Sequence, residues 1–196
     1  MSSTTPAGRR SLLEATITVV ARSGLRALTY RAVAAEAGVS HGLVRHHFGS
    51  RDQLIAEALE YAVAESLRET SMTDASGRAA TVAADGFASG IESLAERSTD
   101  MQAFQYELLL ESRRRPELRP HVERYYETYR RATADQLAAL GIDDDAFIET
   151  VWFALDGLVF RDLVLGSGPG SARVLRRIRE LVAERAARSS RSSTTD

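Results

Sequence analysis

The stretch that decides the fold is "LTYRAVAAEAGVSHGLVRHHFGSRDQL", residues 28–54. Its first half is rich in alanine and predicts a short helix, with Thr29 in position to cap the start. The helical pattern breaks at Gly38, and a second short helix is predicted from Ser40 to Phe48. Because glycine adopts positive φ without strain, Gly38 predicts a tight turn between the two helices.

Small apolar residues flank this turn. A helix-turn-helix packs its two helices near a right angle across a turn of three or four residues, so a small residue is needed where they touch. Ala34 lies four residues before Gly38 and supplies that contact, while Val44 and Phe48 are predicted to face the core. The break therefore predicts a fixed angle between two short helices.

The second helix carries Arg, His and hydroxyl groups on its remaining face, and these groups suit the major groove of DNA. Gly42 would let the backbone approach the duplex closely, the preceding helix would cross the phosphates, and Arg51 would meet a phosphate at a helix N-terminus. The predicted DNA-contacting residues are Thr29, Tyr30, Arg31, Ser40, His41, Gly42, Leu43, Arg45, His46, His47 and Arg51.

Three of the four histidines lie in this helix, so a metal site is a competing interpretation. His41 and His46 are five residues apart and His46 and His47 are adjacent, whereas two ligands on one helix face need a spacing of four. We therefore expect no metal ion and no cofactor. A plainer alternative is an exposed face with one half-buried ring and no ligand.

Composition and charge narrow the function classes. The 196-residue chain has no cysteine, which excludes disulfide scaffolds, zinc fingers and thiol catalysis. Up to residue 53 there are seven arginines and three acidic residues, a net charge of +4 within a chain of net charge −2. A basic N-terminal part on an acidic remainder indicates that one end meets a polyanion.

Two features bear on location. The N-terminal "MSSTTPAG" is polar and does not lead into an apolar run, so we expect no secretory signal. The longest apolar region, residues 147–165, contains Asp156, Arg161 and Asp162, which a membrane span would not expose to lipid. We expect a cytoplasmic protein with no membrane partner.

The rest of the chain predicts an all-α fold. Strand-like alternation is absent, and the four prolines fall at plausible helix boundaries. We predict about nine helices, near residues 9–23, 29–37, 40–48, 50–68, 79–97, 101–114, 116–140, 144–165 and 172–188.

Residues 9–67 resemble the N-terminal domain of the TetR family of bacterial transcriptional regulators. The quoted stretch, extended to "DQLI", closely follows that family's signature, and "FALDGLV" at residues 153–159 is similar to its C-terminal part. A tyrosine commonly precedes the "HHF" triplet in this family, whereas Arg45 does so here. The resemblance implies an all-helical homodimer with a helix-turn-helix DNA-binding domain and a larger effector-binding and dimerising domain.

Domain boundaries follow from the helix pattern together with this resemblance. The expected order is a disordered N-terminal arm, a three-helix DNA-binding domain, a ligand-binding and dimerisation domain, and a disordered tail. Their predicted ranges are residues 1–8, 9–50, 51–188 and 189–196.

The two C-terminal helices predict a dimer interface. Residues 147–165 are apolar on nearly every face, and such a helix has to be covered on every face. A four-helix bundle with a second copy would cover it, whereas in a monomer the last helix would merely cover the core. The predicted interface residues are Phe153, Phe160, Val174, Leu175, Ile178, Leu181 and Val182.

The middle helices carry aromatic and polar residues at helical spacing, and their polar ends need partners inside a bundle. Asp156 within the apolar helix raises the same requirement. Each such residue is more often core than ligand contact, but a small molecule in a cavity is one way to satisfy them. The predicted pocket residues are Phe104, Leu108, Tyr126, Tyr129, Trp152 and Asp156.

Together these features predict a DNA-binding transcriptional regulator, a repressor released from a palindromic operator by a small-molecule effector. One alternative is a helical enzyme that uses the same cavity, although no nucleophile–base spacing or phosphate-binding glycine loop favours it. The glycine-rich segment "GSGPGS" at residues 166–171 is predicted to be a linker between helices. Another is an architectural DNA-binding protein without an effector, which a solid core would favour.

Overall fold

Capping residues and apolar periodicity give a chain of helices in the computed structural model, which describes residues 6–73 and 83–192. Short 3-10 turns occur at Leu25–Ala27, Ala84–Gly86 and Pro116–Leu118. Within the described ranges the α-helices are α1 (Pro6–Ser23), α2 (Tyr30–Ala37), α3 (His41–Phe48), α4 (Arg51–Glu69), α5 (Ile91–Arg97), α6 (Thr99–Glu111), α7 (Arg119–Ala139), α8 (Asp145–Leu165) and α9 (Pro169–Ser192). The predicted all-α fold of about nine helices is confirmed.

Side-chain caps define several helix starts where the sequence predicts them. The Thr29 hydroxyl accepts a hydrogen bond from the Ala32 amide at 3.1 Å, and Asp144 caps α8 in the same way. The Ser50 hydroxyl accepts from the Gln53 amide at 3.1 Å. Each cap provides a partner for an amide that has none within its own helix.

Helix α1 begins earlier than predicted. It starts at Pro6 rather than Arg9, because proline lacks the amide hydrogen that would need a partner in the first turn of a helix. Residues 6–8, which we expect to belong to a disordered arm, are therefore helical; residues 1–5 lie outside the described residues.

Helix α9 is longer than predicted at both ends. It starts at Pro169, inside the glycine-rich segment expected to be a linker, again with proline in the first turn. It continues to Ser192 through alanine and arginine, both of which favour helix. Residues 189–192 of the expected disordered tail are helical, and residues 193–196 lie outside the described residues.

The helix predicted at residues 79–97 is much shorter. Helix α5 begins at Ile91, and a 3-10 turn and bends precede it. Gly90 directly precedes α5 with a φ of 94°, outside the range of an α-helix, and it passes so close to α4 that an added Cβ would lie 2.3 Å from the Glu69 carbonyl oxygen. Residues 79–82 and most of the predicted loop before them lie outside the described residues.

The chain divides into two compact units. Of the described residues, the first contains 6–63 and 100–125, and the second contains 64–73, 83–99 and 126–192. The predicted DNA-binding domain lies entirely within the first unit, and its boundary at residue 50 stays a prediction. Among the described residues, no helix has both the length and the apolar content needed to cross a membrane.

In the first unit, α2 contacts both α1 and α3, and the 3-10 turn after α1 contacts α1. The core between them consists of large side chains with almost no solvent exposure. These are Leu12, Val20, Leu25, Leu28, Val33, Val44 and Phe48.

The turn between α2 and α3 depends on Gly38, which has a φ of 68° and a ψ of 31°. Its amide donates to the Ala35 carbonyl at 3.3 Å, and the Val39 amide donates to the Ala34 carbonyl at 2.9 Å. These two bonds form a Schellman motif, which ends α2 and satisfies its last carbonyls. The predicted left-handed glycine is confirmed.

In the second unit, α8 contacts α5 and α9, and α5 also contacts α9. The buried face of α8 includes Val151, Leu155 and Val159, and α9 contributes Leu175 and Val182. This core holds α5, α8 and α9 together.

We expect Gly38→Ala and Gly42→Ala to shift stability in opposite directions. Neither added methyl group meets an atom within 4 Å, so backbone conformation alone decides the effect. The first change should cost roughly 1 kcal/mol because of its positive φ, whereas the second should add up to about 1 kcal/mol as alanine replaces glycine within α3. Urea unfolding followed by circular dichroism measures both, and shifts of the same sign would contradict this account.

Candidate nucleic-acid interface

Helix α3 has one buried face and one exposed face. Val44 and Phe48 are buried, while His41, Arg45 and His46 are exposed. This division is the one that the sequence predicts. Of the eleven predicted DNA-contacting residues, those with exposed side chains or backbone are Thr29, Arg31, Ser40, His41, Gly42, Arg45 and His46, and the half-buried ones are Tyr30, Leu43, His47 and Arg51.

Tyr30 stabilises the end of α3. Its hydroxyl donates to the Gly49 carbonyl at 3.1 Å, one residue after the helix ends. The start of α2 is therefore tied to the end of α3, so the two ends of the helix-turn-helix hold each other. Since Tyr30 is only half-buried, its ring still has a solvent-facing edge beside Arg31.

Arg51 is engaged with backbone rather than held free for a phosphate. Its Nε donates to the Leu28 carbonyl at 3.1 Å, and its Nη2 donates to the Leu25 carbonyl at 2.7 Å. Loss of solvation lowers the pKa of the Arg51 guanidinium, and the positive charge of Arg115 adds to the effect. This geometry favours a structural role over the predicted phosphate contact.

Glu107 of α6 binds the same segment from the other side. Its Oε1 accepts a hydrogen bond from the Leu25 amide at 3.2 Å. The turn that leads from α1 into α2 is thus held by α4 through Arg51 and by α6 through Glu107. Sequence reasoning missed Glu107, because 82 residues separate the two partners and no local pattern connects them.

Arg9 of α1 is a second residue that sequence reasoning missed. Its Nη1 donates to the His47 carbonyl at 3.1 Å, and its guanidinium carbon lies 4.7 Å from the centre of the Phe48 ring. It also forms an ion pair with Glu57 of α4. Arg9 therefore links the last turn of α3 to α1 and α4.

The histidines of α3 differ in their surroundings. His47 is half-buried against His46 and Phe48, and its Nε2 is buried with no hydrogen-bond partner among the described residues. Across residues 6–73 and 83–192, no three His, Asp or Glu side chains converge in a geometry that could hold a metal ion.

Four of the six predicted pocket residues form a cluster in the second unit. Tyr129 stacks on Trp152 with ring centres 5.2 Å apart, and Tyr126 meets the same indole edge-on at 6.2 Å. Burial raises the pKa of the Tyr126 hydroxyl, and the negative charge of Asp156 raises it further. The other two predicted pocket residues, Phe104 and Leu108, are buried and belong to the first unit.

The second unit also contains a cavity of about 280 Å³ among α5, the end of α8 and the start of α9. None of the six predicted pocket residues lines it. Sequence reasoning missed this cavity, because the helix that forms one wall starts inside the segment expected to be a linker.

The residues predicted for a dimer interface divide into two sets. Phe153 is 58% exposed, Phe160 is 43% exposed, and Val174 of α9 is also exposed. Leu175, Ile178 and Val182 are buried and Leu181 is half-buried, because the apolar stripe of α9 packs inside its own unit. Val164, which was not predicted, is 61% exposed and shares a face of α8 with the two phenylalanines.

Comparison with known protein families covers both parts of the chain. Residues 12–58 match bacterial regulatory proteins of the tetR family, and residues 78–184 match the tetracyclin repressor-like C-terminal domain. The chain belongs to the TetR family. The resemblance identified from the quoted stretch is thereby confirmed.

Individual TetR-family relatives support the assignment over different lengths. The regulator BetI from Vibrio atlanticus is 40% identical over 62 residues, which span 32% of this chain and only 29% of BetI. A TetR-family regulator from Rhodococcus sp. has a similar fold, with a TM-score of 0.71 and 21% identity over 92% of this chain and 99% of its own. The multidrug binding protein EbrR, complexed with ethidium, has a TM-score of 0.59 and 26% identity over 90% of this chain and 97% of its own.

We expect Arg51→Met to destabilise the protein by about 1–2 kcal/mol, because two backbone carbonyls lose a charged donor. The free energy of unfolding in urea measures this. The matched control is Arg31→Met, an exposed arginine on α2, which should change stability by less than about 0.5 kcal/mol. Equal effects of the two substitutions would rule out a structural role for Arg51.

Proposed function

We propose that this protein is a transcriptional regulator that inserts α3 into the major groove of its operator DNA. One observation carries the proposal. Val44 and Phe48 anchor helix α3 in the core, while Arg45 and His41 on its other face are exposed to solvent. A rigid helix with an exposed arginine suits bidentate hydrogen bonding to guanine, the commonest specific contact in this groove.

The remaining contacts divide by position. Residues on α3 with exposed polar groups, Ser40, His41, Arg45 and His46, would contact base edges, and Gly42 would allow close approach. Exposed Thr29 and Arg31 at the start of α2 would contact phosphates, which set the position of the helix but carry no sequence information. The +4 charge of the first 53 residues supports a polyanion on this side.

The active species in this proposal is a homodimer that pairs α8 with its copy. Phe153, Phe160 and Val164 share one exposed face of α8, and Gly157 lies between them on that face. Since no atom lies within 4 Å of a Cβ built at Gly157, a second helix could approach closely there. Two such subunits would present their recognition helices one DNA turn apart, ~34–36 Å, to a palindromic operator.

We further propose a repressor that a small-molecule effector releases from DNA. The stacked pair Tyr129–Trp152, together with Tyr126 and the Asp156 charge, would suit a planar aromatic ligand, and EbrR is described as complexed with the planar cation ethidium. Displacement of α4 or α6 would reach the helix-turn-helix through Arg51 and Glu107, which both bind Leu25. Coupling free energies of ~1–3 kcal/mol are typical of such linkage.

We expect Arg45→Ala to weaken binding to the promoter DNA beside the gene by about 1–3 kcal/mol while leaving the melting temperature unchanged. Fluorescence anisotropy at fixed salt, with operator and scrambled duplexes, measures the loss of discrimination. The control Arg113→Ala removes an equal charge from an exposed site on the segment after α6. If wild-type protein binds operator no better than scrambled DNA, the proposed function fails.

We expect Phe153→Glu to convert a dimer into monomers, because a charge would be buried in the centre of the proposed interface. Light scattering after size-exclusion chromatography measures the mass. Leu110→Glu places the same charge on a 54% exposed leucine of α6 and should leave the mass unchanged. A monomeric wild-type protein would contradict the dimer.

A further inference from the structure

The 280 Å³ cavity in the second unit is lined by both polar and apolar side chains. The polar ones are those of Glu92, Asp162, Ser167 and Ser171, and the larger apolar ones are those of Leu158 and Leu175. Its volume is several times the ~30 Å³ that one molecule occupies in liquid water. The space is therefore large enough for a small organic molecule.

Asp162 has one satisfied oxygen and one unsatisfied oxygen. The residue is only 4% exposed and is paired with the positive charge of Arg161. Its Oδ1 accepts one hydrogen bond from Arg161 Nη1 at 2.7 Å and another from the Ser171 hydroxyl. Its Oδ2 is buried and has no hydrogen-bond partner in the described part of the chain. A buried carboxylate oxygen without a donor is costly, so a donor is the group that this position requires.

A second polar atom points to the same requirement. The Ser167 hydroxyl oxygen is also buried and without a partner among the described residues, and Ser167 lines the same cavity. Glu92, the other carboxylate in the lining, is already paired with Arg179 at 2.7 Å. Asp162 Oδ2 and Ser167 Oγ are thus the side-chain atoms of the lining that are buried without a hydrogen-bond partner among the described residues.

The chemistry of these two atoms selects the ligand class. An ionised carboxylate oxygen only accepts hydrogen bonds, so an anion or a pure acceptor would not satisfy it. An ammonium group supplies three donors and a charge, and charge-assisted hydrogen bonds to carboxylates are stronger than those of a neutral hydroxyl. A metal ion is disfavoured, because no cluster of three ligating side chains exists among the described residues.

We propose that this cavity binds a small alkylammonium compound. The ammonium group donates to Asp162 Oδ2 and Ser167 Oγ, and the alkyl chain packs on Leu158 and Leu175. Its lining includes no residue of the aromatic cluster around Trp152 and none of α3, so the proposal does not depend on the proposed DNA-binding function.

The probes are n-butylammonium, n-butanol and butyrate, titrated into the full-length protein at constant ionic strength. Binding is followed by the amide signals of Gly168 and Ser171 in a two-dimensional NMR spectrum. We expect saturable shifts with n-butylammonium, with a dissociation constant on the order of 1 mM for so small a ligand. n-Butanol should bind at least about tenfold more weakly, and butyrate should cause no saturable shift.

Three variants test the named groups. Ser167→Ala removes an acceptor and should weaken n-butylammonium binding about three- to tenfold, with the exposed Ser89→Ala as control. Ala172→Leu adds bulk to the cavity wall and should abolish binding, with Ala183→Leu on the exposed side of α9 as control. Asp162→Asn keeps an oxygen for Arg161 but removes the charge, so the preference for n-butylammonium over n-butanol should disappear.

Circular dichroism measures whether each variant is folded. If Asp162→Asn does not fold, the binding data for Ser167→Ala and Ala172→Leu decide the outcome. The proposal is overturned if wild-type protein shows no saturable shift with n-butylammonium. It is equally overturned if Ser167→Ala and Ala172→Leu bind it as wild type does, or if the shifts centre on Trp152 instead.

Discussion

The angle between α2 and α3 depends on the backbone conformation of one residue. Gly38 has positive φ, and the hydrogen bonds of its own amide and of the Val39 amide end α2 and redirect the chain. With that turn in place, Val44 and Phe48 reach the core and the opposite face of α3 is left exposed. A side chain with a Cβ at residue 38 would disfavour this backbone conformation.

Long-range polar contacts then hold this geometry from several sides. Arg9, Arg51 and Tyr30 all donate to backbone carbonyls at helix ends or turns, and Glu107 accepts from a backbone amide. Contacts of this kind satisfy groups that helices leave unpaired at their termini. They also attach the turn before α2 to α4 through Arg51 and to α6 through Glu107.

Helix α8 combines three surfaces that differ in chemistry. One face packs in the core of the second unit, another exposes Phe153 and Phe160, and its last turns bring Asp162 to a cavity. Most residues on the first two surfaces are apolar. Asp162 differs from these apolar residues because it carries a charge, and only one of its two carboxylate oxygens has a hydrogen-bond partner among the described residues.

Much of this structure follows from the sequence alone, because the relevant contacts are local. The Gly38 turn, the Thr29 cap and the two faces of α3 involve residues within about four positions of one another, where propensity and periodicity apply directly. Tertiary structure determined the contacts between residues that are far apart in the sequence. It turned Arg51 toward carbonyls 23 and 26 residues away and placed Glu107 against Leu25. It also buried Leu175, Ile178 and Val182 of the α9 stripe within the second unit and opened a cavity beside Asp162. Packing between distant helices determines which apolar face is covered and which polar atom is left without a partner.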